Sequence, residues 1–292
     1  MNSTSNETAA AAGRPAGGKP SKHAAIAERI IGNLVQAGSP KVSPDGATVA
    51  FVVSRIDFAK NKARSQVWLA AVDGSSAPRA VTNGDNDGQP TWSRDGRSLA
   101  FVSHRGDKHS EATLHLLPIT EPGEVRLVAT MTDGISDIEF SPDGRWIGFC
   151  SRTPDERYAA QDESWQAPRK IETFFTKLNG EGWIFDRPQH VYVVTADGTA
   201  APRNLTPGPF QHSGVSWLGD GSGIVTSAQR HPSWDRDFAE DLYVISFDPA
   251  DAAISPVDPP GGSSADPADI RGGQVRGLTA QTGLYVMPSV SP

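Results

Sequence analysis

The sequence predicts an all-β chain built from one repeated unit of four strands, with a short helix in front. Three observations carry that prediction. A turn signature recurs as Ser43-Pro44-Asp45-Gly46, Ser93-Arg94-Asp95-Gly96, Ser141-Pro142-Asp143-Gly144 and, more weakly, Leu218-Gly219-Asp220-Gly221. Proline presets φ for the second turn position, aspartate bonds back to nearby backbone, and glycine accepts positive φ. Each turn is followed by an apolar run: Val49-Ala50-Phe51-Val52-Val53, Leu99-Ala100-Phe101-Val102, Ile147-Gly148-Phe149-Cys150 and Ile224-Val225. The turn aspartates stand at 45, 95, 143 and 220, so successive gaps are 50, 48 and 77. Four strands at a spacing of about 50 residues is the signature of a β-propeller blade.

The bulk composition agrees. Across 292 residues, 37% are hydrophobic, enough for a core, while 29 Gly and 23 Pro interrupt the chain too often for long helices. A formal net charge of −7 without any basic run argues against a nucleic-acid or anionic-membrane partner. The single cysteine, Cys150, excludes an internal disulfide and a Cys-cluster metal site, and its apolar strand makes it a structural thiol. No stretch reaches the 18 or so apolar residues of a membrane helix. Residues 1–20 lack the apolar centre of a signal peptide and read as a disordered tail, so the expected compartment is the cytoplasm.

In chain order, residues 21–38 form the helical segment. Ser21 caps it, Ile26, Ile30, Ile31, Leu34 and Val35 make one apolar stripe over 22–37, and Gly38 and Pro40 end it. That stripe needs cover, from the array or from a partner domain. From 39 onward the repeat reads strand by strand. The first strand ends at Val42, Trp92, Phe140, Trp217 and Val290. The second is the apolar run, with Phe51, Phe101 and Phe149 in register. The third is Val67-Trp68-Leu69, Leu114-His115-Leu116, Val191-Tyr192-Val193-Val194 and Leu242-Tyr243-Val244-Ile245, with a ring at each second place. The fourth carries Arg79-Ala80-Val81-Thr82, Arg126-Leu127-Val128, Arg203-Asn204-Leu205-Thr206 and Arg276-Gly277-Leu278-Thr279. This lays out a partial propeller over 39–292: blades at about 39–86, 87–133, 134–210 and 211–284, with a fifth beginning near 285 and an incomplete ring. The long third gap is an insertion over about 154–188, and Pro249–Arg271 reads as a flexible loop.

The Ser-Pro-Asp-Gly repeats with Arg-x-Leu-Thr strands resemble the WD40-like repeats of TolB-type propellers and of the propeller half of prolyl-oligopeptidase-type (S9) serine peptidases. The insertion favours the second group. Pro168-Arg169-Lys170-Ile171, Gly180-Glu181-Gly182-Trp183 and Arg187-Pro188-Gln189-His190-Val191-Tyr192 look like the third-blade segment of the acylaminoacyl-peptidase and dipeptidyl-peptidase branch. The resemblance covers about 22–292. It implies a propeller that caps an α/β-hydrolase domain with a Ser–Asp–His triad and admits only short peptides. A nucleophile elbow needs Gly-x-Ser-x-Gly, and no such pentapeptide occurs; Gly214-Val215-Ser216-Trp217-Leu218 lacks the closing Gly. The expectation is therefore an inactive propeller portion, with short peptides reaching a hydrolase domain absent from this chain.

No catalytic, cofactor-binding or metal-ligating residue is assigned, and no cofactor is expected. His104, His109 and His115 cluster in sequence without a carboxylate pairing that would make a metal site. Trp68, Trp92, Phe140, Tyr192, Trp217 and Tyr243 recur at blade period as inter-blade core rather than a ligand cage. Arg55, Arg105 and Arg230 leave their strands at one equivalent point, with Arg152 one place earlier. They either ring one face and favour anionic or C-terminal carboxylate groups, or bridge to a neighbouring turn aspartate. The insertion carries Trp165, Phe174, Phe175, Trp183 and Phe185, too apolar to leave in water. It packs on the helix, on a hydrolase domain, or back on its own blade. Open blade faces predict self-association. The competing function is a stand-alone propeller module that binds a protein or peptide, and a chain ending at Val290-Ser291-Pro292, in mid-repeat, favours the peptidase portion over it.

Overall fold

The computed structural model describes residues 22–58, 60–104, 111–158, 165, 167–231, 233–250, 275–279 and 283–291. Helix α1 spans Lys22–Gly32. It is shorter than the apolar stripe predicts, because Gly32 and Asn33 end it and Leu34 and Val35 pass into the first strand. The expected tail over 1–20 lies outside the described residues, as does the expected loop Pro249–Arg271 from residue 251 onward.

The rest is almost entirely antiparallel β. Sheet 1 holds β1 (Val35–Val42), β2 (Thr48–Asp57), β3 (Lys62–Ala71) and β4 (Arg79–Ala80). Sheet 2 holds β5 (Asp87–Trp92), β6 (Ser98–Ser103), β7 (Ala112–Pro118) and β8 (Arg126–Met131). Sheet 3 starts with β9 (Ser136–Phe140) and β10 (Trp146–Arg152). A small hairpin, β11 (Lys177–Leu178) and β12 (Gly182–Trp183), interrupts it before β13 (Gln189–Thr195) and β14 (Arg203–Asn204) complete it. Sheet 4 holds β15 (His212–Trp217), β16 (Gly223–Ala228), β17 (Asp241–Ser246) and β18 (Val275–Gly277). The first strands β1, β5, β9 and β15 lie side by side in that order, so each sheet stacks face-on against the next. No strand of sheet 4 pairs with sheet 1 among the described residues.

The turn chemistry is the same in three sheets. The Ser43 hydroxyl donates to Asp45 Oδ1 at 2.5 Å, the Ala47 amide donates to the same oxygen, and the Thr48 amide donates to Ser43 Oγ. Residues 93–98 and 141–146 repeat all three bonds. Gly46, Gly96 and Gly144 sit at φ of 73°, 70° and 71°, which a Cβ would strain. In sheet 4 Asp220 instead accepts from the Ser222 amide and hydroxyl. The ring at each third strand faces the phenylalanine of the second: Phe51 opposite Trp68, Phe101 opposite His115, Phe149 opposite Tyr192. Phe101 and His115 stack at 5.2 Å, Phe149 and Tyr192 at 5.6 Å. The threonine of the Arg-x-Leu-Thr strand accepts a third-strand amide, Val67 to Thr82, Val191 to Thr206 and Leu242 to Thr279.

Three cores fill the three interfaces between sheets. Ala50, Val67, Leu69, Trp92, Leu99 and Phe101 join sheets 1 and 2. Leu114, Ile138, Phe140, Ile147, Phe149 and Val194 join sheets 2 and 3. Val191, Val193, Val215, Trp217, Ile224 and Ile245 join sheets 3 and 4. Trp92 and Trp217 also donate their indole N–H to the Lys41 and Glu139 carbonyls of the preceding sheet, at 2.9 and 3.1 Å. The periodic aromatics are thus inter-sheet packing: Trp92, Phe140, Tyr192 and Trp217 are buried, Trp68 and Tyr243 half-buried.

One repeated device has no sequence signature. Each first strand carries a residue in the left-handed region three places before its end: Ser39 (φ 51°), Gln89 (φ 50°), Asp137 (φ 54°) and Gly214 (φ 74°). Each marks a β-bulge, and the bulge turns Gln89 to donate to Ile135 O of the next sheet. Met287 takes the same conformation (φ 55°) three places before Val290, and the Val290 amide donates to Ser216 Oγ in β15.

Candidate functional site

The chemistry-bearing side chains gather at the end of the array where β10 leaves sheet 3 and the insertion begins. The insertion closes on itself: the Thr153 amide donates to Pro188 O and the Asp155 amide to Asp186 O. Arg187 then fixes it to the sheet. Its Nη1 reaches both oxygens of Asp133, in the β8–β9 connection, at 2.8 and 2.6 Å. Its Nε donates to Trp183 O and its Nη2 to Glu181 O, both at 2.5 Å. Arg152 ties the same place together, bonding Arg187 O, Gln211 Oε1 and the Glu181 carboxylate. A planar fork satisfied on every edge is what arginine supplies and lysine does not.

The insertion has its own small core. Arg169 pairs with Asp186 at 2.9 Å and lies 5.2 Å from the Tyr158 ring and 5.1 Å from the Trp183 ring. Lys177 caps Trp183 at 3.7 Å, and Trp183 meets Phe185 edge-on at 5.8 Å. Its tip reaches sheet 4: Phe175 packs on Phe238 at 5.2 Å, and the Phe174 amide donates to Asp235 Oδ2. Among the described residues the insertion therefore packs back on its own sheet and on the β16–β17 loop, while α1 lies against β2. Phe174 and Phe238 are still 75% and 73% exposed.

His190 holds the base of the site. Its Nε2 lies 2.9 Å from the Gly208 carbonyl, which only accepts, so Nε2 carries the proton. Its Nδ1 accepts from the Asn204 amide at 3.0 Å, and Thr153 Oγ1 sits 2.7 Å away, linked in turn to Tyr192 OH. Burial pushes the His190 pKa down to about 4, so the ring is neutral and structural. Burial likewise pushes the Cys150 thiol up, away from nucleophile chemistry.

The equivalent arginines part company. Arg55 is exposed over Trp68 at 5.8 Å, Arg105 and His109 lie outside the described residues, and Arg230 is buried. Neither Arg55 nor Arg230 bridges to a turn aspartate, because those carboxylates are taken up by serine hydroxyls and backbone amides in their own turns. His104 is half-buried and His115 is stacked on Phe101; among the described residues no His, Cys, Asp and Glu group is arranged for a metal. Sequence reading missed Asp133, Asp235, Phe210 and Phe238, whose parts depend on a fold-brought neighbour and leave no local signal.

Fold and site together define a propeller chain of four-stranded sheets whose third sheet carries a pinned insertion. No family model matches the chain. It is 27% identical over 219 residues to the uncharacterized peptidase YuxL of Bacillus subtilis, covering 73% of this chain and 32% of that one. It is 24% identical over 240 residues to dipeptidyl-peptidase 5 of Porphyromonas gingivalis, 76% of this chain and 34% of that one. The uncharacterized protein Atu1656 of Agrobacterium fabrum matches at 28% over 222 residues, 70% of this chain and 69% of that one. Among solved structures, Pyrococcus horikoshii acylaminoacyl peptidase aligns with a TM-score of 0.61 at 16% identity, over 90% of this chain and 35% of that one. That alignment shows the shared propeller fold. The chain spans about a third of the length of the curated peptidases it matches. The resemblance to the propeller half of prolyl-oligopeptidase-type peptidases is borne out.

Proposed function

We propose that this chain is the propeller portion of an S9-type peptidase of the acylaminoacyl or oligopeptidase kind, gating short peptides to a hydrolase domain outside it. The observation that supports this most is the match to curated peptidases over one third of their length. The propeller acts by shape: it positions a rigid end, bearing the pinned insertion, over a neighbouring active site. The exposed aromatics Phe174 and Phe238 are the surface by which that end meets the hydrolase domain. In this reading the array is four blades with a fifth starting near 285, where the Met287 bulge repeats the first-strand geometry. The exposed face of β1 is where lone copies associate, and the cytoplasm is the compartment.

The test is the intact mass of the native product, detected in its own cells with an antibody to sheet 1. A species well above 31.0 kDa that labels with a serine-directed fluorophosphonate supports the reading. A species at 31.0 kDa that does not label rejects it. The second reading, a stand-alone module binding a protein or peptide, is favoured by the Agrobacterium relative, 69% of which this chain covers.

A further inference from the structure

Four arginines are held at the insertion end, and three of them have a carboxylate: Arg187 with Asp133, Arg152 with Glu181, Arg169 with Asp186. Arg230 has none among the described residues. It follows β16, is 7% exposed, and lies over the Phe210 ring at 4.6 Å and the Tyr243 ring at 5.9 Å. Among the described residues the one hydrogen bond of its guanidinium is from Nη1 to His212 Nε2, at 2.9 Å. A guanidinium only donates, so that nitrogen of His212 is an acceptor and the buried ring is neutral. His212 therefore shares no charge with Arg230.

A buried cation without an anion is costly. Ring faces offset only part of the loss of hydration, and they accept no hydrogen bond from the in-plane N–H groups of the fork. The bond to His212 takes one side of the fork and leaves the Nε–Nη2 edge, the edge a carboxylate grips with two parallel hydrogen bonds. The flanking rings of Phe210 and Tyr243 favour a flat anion. A single uncompensated cation matches a single negative charge, since Arg152, which bonds Gln211 next to His212, is already paired with Glu181. We propose that Arg230 anchors a carboxylate-binding site at this end of sheet 4. The carboxylate is a free small acid or the main-chain terminus of a peptide, and the site stands whether or not the chain serves a peptidase.

The experiment uses the full chain at about pH 7.5, with chloride replaced at constant ionic strength. Thermal unfolding and calorimetric titration are run with sodium acetate, with N-acetyl-glycyl-phenylalanine, and with its C-terminal amide. The expected result is a Tm rise of a few degrees at about ten times Kd with at least one carboxylate and none with the amide. A response to acetate alone identifies a free acid; a response to the peptide acid identifies a chain terminus. Arg230→Met should abolish the response, and Arg230→Lys, which keeps charge and loses the fork, should weaken affinity at least about tenfold. Without ligand Arg230→Met should unfold no lower than the parent, because an unpaired charge has gone. No response to either carboxylate, or an equal response in Arg230→Met, overturns the proposal. If Arg230→Met does not fold, the Arg230 Nε–H resonance of the parent decides: acetate must shift it, and an unmoved signal overturns the proposal.

Discussion

Sheets 1 and 2 are built from the same motif, the same turn hydrogen bonds and the same phenylalanine-to-ring pairing, yet they end in different surroundings. In sheet 2, β6 is buried over five consecutive residues, Leu99 to Ser103, because sheets 1 and 3 cover both faces. In sheet 1, β1 is exposed along its whole length, and β2 is buried only at Ala50 and Val53. Local sequence sets strand, turn and register. A neighbour on each face sets stability. The repeat is therefore a half-finished core that the next repeat completes.

The largest expected effect breaks that comparison directly. Phe101→Ala, in a fully buried site stacked on His115, should cost about 3–5 kcal/mol in urea unfolding. The equivalent Phe51→Ala, half-buried in sheet 1, should cost about 1 kcal/mol. Equal losses would mean that sheet 1 is covered in solution. Protonation comes next. The folded-state pKa of His190 lies below its ordinary value, at about 4, so the unfolded chain binds the proton more readily. Its contribution is fully present above about pH 6.5 and is lost as pH falls toward 4, by about 3 kcal/mol in all. A Tm that does not fall over that window, or that falls equally in His190→Gln, goes against the assignment.

Smaller effects sharpen the contrast between array and insertion. Arg187→Ala should release the insertion and take from both Asp133 oxygens the partner they share, for about 2 kcal/mol. Hydrogen exchange should quicken over 153–188 while β10 and β13 stay protected. Gly148→Ala places a methyl 2.9 Å from Val215 Cγ1 and 3.2 Å from Trp217 Nε1, at the interface of sheets 3 and 4. That crowding should cost about 1–2 kcal/mol. The smallest expected effect is none: Cys150, fully buried, should resist thiol reagents in the native chain and react on unfolding.

Much of this fold was legible. The turn quartets mark the β-hairpins because their hydrogen bonds are local, and first strands end at Val42, Trp92, Phe140 and Trp217 as the periodicity says. The helix was over-read, since a stripe over 22–37 does not distinguish helix from the strand entered at Val35. The bulges were illegible, because Ser39, Gln89, Asp137 and Met287 share a conformation and no chemistry. The site was legible only as a motif. That Arg187 grips Asp133, or that Arg230 meets His212 and no carboxylate among the described residues, depends on residues far apart in sequence and appears once the sheets are stacked.

The staples between neighbouring sheets carry a further consequence. Gln89 to Ile135, Thr91 to Ile138, Trp92 to Lys41 and Trp217 to Glu139 span only 46, 47, 51 and 78 residues. Each sheet finds its partner in the chain made just before it. An array of this kind is suited to assembly on the ribosome, each sheet docking while the next is still being synthesised. The insertion is the exception. Its tip waits for Asp235 and Phe238, so a nascent chain stalled before them would display Phe174 and Phe175 to the chaperones around the exit tunnel.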